Sequence, residues 1–142
     1  MAEPPSRPIV KPMRAPPIPE NEALRLDALR TAYCAYAPRE ERFDRITRTA
    51  KRLLHVPIAL ISIIEQDEQW FRSVQGLEVS HTPRDISFCG YAVALNQPFC
   101  IPDTLKDPDF SDNPLVTGPP RILGPSATPN SLCAHALAAS GI

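Results

Sequence analysis

Helices alternate with an antiparallel hairpin in this 142-residue sequence, an α+β pattern that three observations predict. Residues 58–64 (IALISII) form a β-branched and apolar run of strand length, too short for a membrane span or an ordinary helix. A polar step, Glu65-Gln66-Asp67-Glu68, and a second strand-like piece from Gln69 to Val74 follow it as a hairpin would. Upstream, apolar residues between Asn21 and Leu54 recur every three to four positions, the period of a helix face.

With 43% apolar and 22% charged residues, the chain has the make-up of a folded domain, and its length suits one domain of modest size. A formal net charge of −1 gives no pull toward nucleic acid or an anionic membrane, so neither is expected as a partner. Cys34, Cys89, Cys100 and Cys133 are widely spaced, with no C-x-x-C pair and only three histidines, which argues against a structural zinc site. Neither a signal peptide nor an apolar span of about 20 residues is visible, so the expectation is a cytoplasmic protein whose thiols stay reduced.

Residues 1–19 hold seven of the eighteen prolines and no periodicity, and are expected to form an extended, disordered leader. Asn21 can cap a first helix that carries Leu24, Leu26, Leu29, Ala32 and Tyr33 and ends near Tyr36. Pro38 opens a second helix, with Glu40 and Glu41 in the first turn, where the helix dipole favours carboxylates, and Arg45, Arg48, Lys51 and Arg52 beyond. Its stripe of Phe43, Ile46, Ala50, Leu53 and Leu54 is expected to pack against a sheet. Gly76 ends the second strand, and a loop with His81 and Pro83 leads into a short helix from Asp85 to Leu95. Pro98 and Pro102 bound an edge strand. Asp103 to Asn113 carries four aspartates but lacks the glycine and terminal glutamate of a calcium loop, so it reads as a structured surface loop. Any ligand is expected between the His81 loop and the hairpin.

The segments NEALRLDALR, PREERFDRITRTAKRLLHVPIALISII, QWFRSVQGL, TPRDISFCGYAV and DPDFSDNPLVTGPP, in this order, resemble a GAF domain of the kind found at the N-termini of bacterial sensor kinases and diguanylate cyclases. The resemblance covers residues 20–121. It implies a central antiparallel sheet with helices on one face and a ligand pocket on the other. It also implies a non-catalytic sensory module in signal transduction that binds a small molecule or dimerises to regulate an output kinase or cyclase domain, with a homodimer formed through the N-terminal helices. The cofactor stays unknown: such domains sense cyclic nucleotides, tetrapyrroles or haem, and the Cys-His pair of bilin-attaching members is absent from this sequence.

On that basis the candidate ligand-binding residues are Trp70, Arg84, Asp85, Ser87, Phe88, Cys89, Asp103 and Asn113, and no catalytic or metal-binding residue is assigned. Trp70 and Phe71 are strand neighbours on opposite faces, so at most one of them points to the pocket side. Arg84 and Asp85 are expected to form an ion pair or a helix cap, with Asp85 accepting from the amides near Phe88. Ser87 and Cys89 are the polar groups nearest the pocket, and Cys89 reads either as a small buried hydrophobe or as a reactive thiol. The competing reading is a thiol enzyme, because one GAF branch reduces free methionine sulfoxide with cysteines, and Cys89 and Cys100 would be the pair.

After Arg121 the resemblance stops. Residues 122–142 form a divergent tail that carries no charged side chain and no six-residue strand pattern, and its composition allows a short helix from Ser131 to Ala139. The family continues with two strands and a helix. The sequence therefore reads as a truncated or frame-shifted piece of a longer sensor, non-functional by itself, or as a genuine divergent ending. Without terminal strands the edge at Ile58–Ile64 is left open.

Overall fold

The computed structural model describes residues 14–32, 38–118 and 132–134, the last three by backbone alone. The apolar run becomes strand β1 (Ala59–Ile64), the polar step turns the chain into β2 (Glu68–Gln75), and β2 pairs in turn with the short β3 (His81–Pro83). All pairings are antiparallel, in the order β1-β2-β3, the α+β arrangement expected. Among the described residues β1 pairs with β2 alone. The Glu65 N–H donates to the Glu68 carbonyl at 2.8 Å and closes the first turn. β2 stops where Gly76 takes φ +89°, and a Cβ there would lie 2.1 Å from the Pro57 carbonyl oxygen, so both dihedral and space require glycine.

The β1–β2 register pairs Ile61 with Ser73 but Ser62 with Phe71, leaving Arg72 as an extra residue in a β-bulge. The bulge turns Arg72 and Ser73 toward one side of the sheet, where helix α2 (Glu41–Leu54) lies. Ser73 Oγ sits 2.8 Å from Thr47 Oγ1 and donates to the Asp44 carboxylate at 2.5 Å. Gln75 Nε2 donates to Thr47 Oγ1 at 3.3 Å, and Arg72 Nη2 donates to Glu40 at 2.6 Å with its guanidinium 5.2 Å from the centre of the Phe43 ring.

This polar contact corrects the expectation for α2. The sheet presents Arg72, Ser73 and Gln75, so the helix turns Thr47 inward with Phe43 and Ala50 at its flanks. Ile46, Leu53 and Leu54, expected to pack on the sheet, are 57%, 74% and 69% exposed. The helix also begins at Glu41 rather than at Pro38, and it ends on His55, which takes a left-handed φ of 51° and donates its N–H to the Lys51 carbonyl.

Helix α1 (Glu22–Ala32) is fastened over the hairpin turn by charge. Arg25 donates to both carboxylate oxygens of Glu22, at 2.9 and 2.8 Å, and to the Ile64 carbonyl at 2.6 Å. Glu22 also accepts from Arg84 Nη1. The Arg25 hydrogen bond holds the Glu22 carboxyl down at about 2, against burial, which works the other way, and the Arg84 bond adds to it.

The largest apolar cluster lies away from the sheet. A 3₁₀ turn (Arg84–Ile86) leads into α3 (Phe88–Leu95), then β4 (Phe99–Ile101) and, after the aspartate-rich loop, α4 (Pro114–Thr117). Phe88, Ile101, Phe110, Leu115 and Val116 are buried together, with Ile86 and Tyr91 at the margin. Tyr91 meets Phe110 edge-on at 4.9 Å between ring centres. Residues 14–19, expected within the disordered leader, instead run along α3: Pro16 is buried 2.8 Å from where a Gly90 Cβ would stand, and the Tyr91 hydroxyl donates to the Arg14 carbonyl. Leu132–Ala134, where composition allows a helix, forms strand β5 against β4, a case of pairing overriding local propensity. The rest of the proposed 131–139 helix and the 122–130 segment lie outside the described residues. Cys100 faces Cys133 in the β4–β5 register and is disulfide-bonded, in contrast to the reduced thiols expected. No helix among the described residues is long and apolar enough to cross a membrane.

Two outcomes follow from these contacts. Gly76→Ala is expected to lower stability by about 2 kcal/mol or more, through the left-handed backbone and the Pro57 clash, read as a shift in the urea midpoint. The folded-state pKa of Glu22 is depressed, so its contribution is complete above the unfolded value near 4.5 and is lost as pH falls toward 2. Glu22→Gln should therefore flatten the stability–pH curve between those limits, by on the order of 2–3 kcal/mol at most, in urea titrations at stepped pH.

Candidate functional site

Opposite α2, the sheet turns a second polar surface toward α3. Alternation along the strands puts Ser62 and Gln69 on the face away from Thr47, and Gln69 Nε2 donates to Ser62 Oγ at 2.8 Å. Gln69 pairs across the ladder with Thr82, whose hydroxyl donates to the Gln69 side-chain Oε1 at a long 3.5 Å. From above, Cys89 on the first turn of α3 lies beside the side chains of Ser62 and Gln69. Burial pushes the Cys89 thiol up, and these two neighbours offset that only in part. The group is thus a neutral thiol at physiological pH, suited to hydrogen bonding rather than to attack.

Helix α3 owes its position to Ser87 and Asn113. Ser87, fully buried, caps it by accepting from the Gly90 N–H at 3.2 Å and donates to the Arg84 carbonyl at 2.7 Å. Asn113 caps α4, accepting from Leu115 N–H at 2.8 Å, and its Nδ2 donates to the Ile86 carbonyl at 3.0 Å, tying the aspartate-rich loop to the start of α3. Phe88 packs on Phe110 at 5.4 Å between ring centres.

The structure therefore gathers Ser87, Phe88 and Asn113 in one structural knot, with Cys89 projecting from it toward the sheet. Arg84 and Asp85 separate. Arg84 pairs with Glu22 rather than with Asp85, and Asp85 is exposed, so the cap assigned to it belongs to Ser87 two residues on. Trp70 lies on the α2 side of the sheet by register and stacks on His81 at 4.7 Å; its neighbour Phe71 takes the face of Ser62. Asp103 stands apart in the loop, where its carboxylate accepts from the Leu105 N–H at 3.0 Å, as Asp107 does from Asp109 at 2.9 Å. Among the described residues no three metal-ligating side chains come together.

Sequence reasoning passed over Ser62, Gln69 and Thr82. A signal was present in Ser62, the one polar residue inside the IALISII run, because a hydroxyl in an otherwise apolar buried strand needs a partner.

A sequence model described as the GAF domain matches residues 38–134, thus reaching through β5. The chain is 41% identical over 110 residues to a protein of Pseudomonas aeruginosa named cyclic di-GMP phosphodiesterase PA2567. That alignment takes in 78% of this chain and 19% of the relative, so the chain spans about a fifth of the protein it matches. On the family match, joined to the α+β architecture, this chain belongs to the GAF domain family.

Proposed function

We propose that this chain is a non-catalytic sensory module that binds a small molecule between its sheet and α3 and thereby regulates an output domain in signalling. The observation that carries this reading is the set of polar side chains Ser62, Gln69, Thr82 and Cys89, gathered between the strands and α3 with Gln69 and Thr82 buried. Ligand pockets combine such convergent polar groups with apolar walls, and here Ile64 and Val74 occupy the same strands. The relative named as a cyclic di-GMP phosphodiesterase supports an output concerned with cyclic di-GMP, alongside the kinase or cyclase that the resemblance implies. Ligand control requires only that the ligand bind one of two arrangements more tightly.

A second reading has its own observation. The exposed row of Ile46, Leu53 and Leu54 on α2 supports self-association through the N-terminal helices as the regulatory input.

Thermal unfolding of the full chain with cyclic AMP, cyclic GMP, haem or biliverdin tests the first reading. A saturable rise in Tm with at least one of them, abolished by Ser62→Val, is the expected outcome. Reduction of free methionine sulfoxide that Cys89→Ser abolishes would replace it with the thiol enzyme. Should no probe stabilise the chain, sedimentation of the wild type against Ile46→Glu/Leu53→Glu decides for self-association if the wild type alone dimerises.

A further inference from the structure

Arg84 is 5% exposed and is held from one end of its guanidinium. Nη1 donates to Glu22 and to the carbonyl oxygens of Glu65 and Gln66, at 3.1 and 3.3 Å for the two carbonyls. Nε and Nη2 are buried and have no acceptor among the described residues. These two nitrogens form the side edge of the guanidinium, which presents two parallel N–H bonds at the spacing of a carboxylate or phosphate oxygen pair.

Charge points the same way. The cluster at the hairpin turn contains Arg25 and Arg84 against Glu22, and the side chains of all three are largely buried, at 19%, 6% and 15% exposure. Among these three side chains one positive charge is in excess, beside a turn that itself carries Glu65, Asp67 and Glu68. A buried charged donor without an acceptor is costly, and more so than a neutral one. Water would supply oxygen without charge, whereas an oxyanion supplies both.

We propose that the Nε–Nη2 edge of Arg84 is a binding site for the oxyanion group, carboxylate or phosphate, of a small ligand. The site lies at the hairpin turn under α1, apart from the polar cluster of Ser62, Gln69, Thr82 and Cys89. It is also coupled to α1. Glu22 draws on the same guanidinium, so an arriving anion and the Glu22 carboxylate compete for its charge, and each weakens the hold of the other.

The test uses the full 142-residue chain labelled with nitrogen-15, following the Arg84 Nε–H resonance by NMR. Inorganic phosphate and succinate are titrated separately, at ionic strength held constant with sodium chloride. The expected result is a saturable shift with at least one of them, and the tighter of the two identifies phosphate or carboxylate as the source. Glu22→Gln should tighten binding roughly five-fold or more. Arg84→Lys, which keeps the charge and loses the fork, should abolish the saturable binding, read by calorimetry. If Arg84→Lys does not fold, the Glu22→Gln comparison decides. The proposal is overturned by any of three results: no saturation by either anion with a Kd below about 10 mM, an affinity unchanged by Glu22→Gln, or a long-lived water at the Nε–H that neither anion displaces.

Discussion

Side chains of a strand alternate between faces, and one extra residue at Arg72 lets this hairpin serve two neighbours of different chemistry. Before the bulge, Gln69 looks toward α3; after it, Ser73 and Gln75 look toward α2, and Arg72 joins them. In unbroken pairing the alternation would carry Ser73 to the face of Gln69 and Phe71, and Thr47 and Asp44 would lose their common partner. The position of α2, and the exposure of its outer apolar residues, follow from that single insertion.

Both faces of the sheet therefore carry buried hydrogen bonds alongside apolar side chains such as Ile64 and Val74. Such interfaces are demanding, because each net bond contributes only about 1 kcal/mol while an unsatisfied buried partner costs more. Apolar burial is concentrated instead where α3, β4, Phe110 and α4 meet. Helix α3 joins the two regimes within one turn: Phe88 enters the apolar cluster, Cys89 reaches Ser62 and Gln69, and Gly90 gives its open side to Pro16. Steps of about 100° per residue send three successive side chains in three directions.

Much of this was legible from periodicity and punctuation. The hairpin, the stop at Gly76 and the edge strand between Pro98 and Pro102 rest on local signals, and each appears where those signals stand. What the sequence hid depends on partners distant in the chain. Arg84 pairs with Glu22 across 62 positions, not with adjacent Asp85, and no local rule distinguishes the two carboxylates. The stripe on α2 was readable as a stripe, but which side of the helix meets the sheet was decided by Arg72 and Ser73 through a bulge that leaves no mark in composition. Ser87 and Asp85 are both good capping residues, and only the 3₁₀ turn between β3 and α3 selects the serine.

The proline ring of Pro16 resting on the bare Cα of Gly90 has a mechanical meaning. With the Arg14 carbonyl gripped by Tyr91, the segment ahead of α1 is fastened to α3, while α1 itself is held to the hairpin turn through Arg25. Because α3 is also the helix that carries Cys89 beside Ser62 and Gln69, one short helix joins the N-terminal segment to the polar cluster.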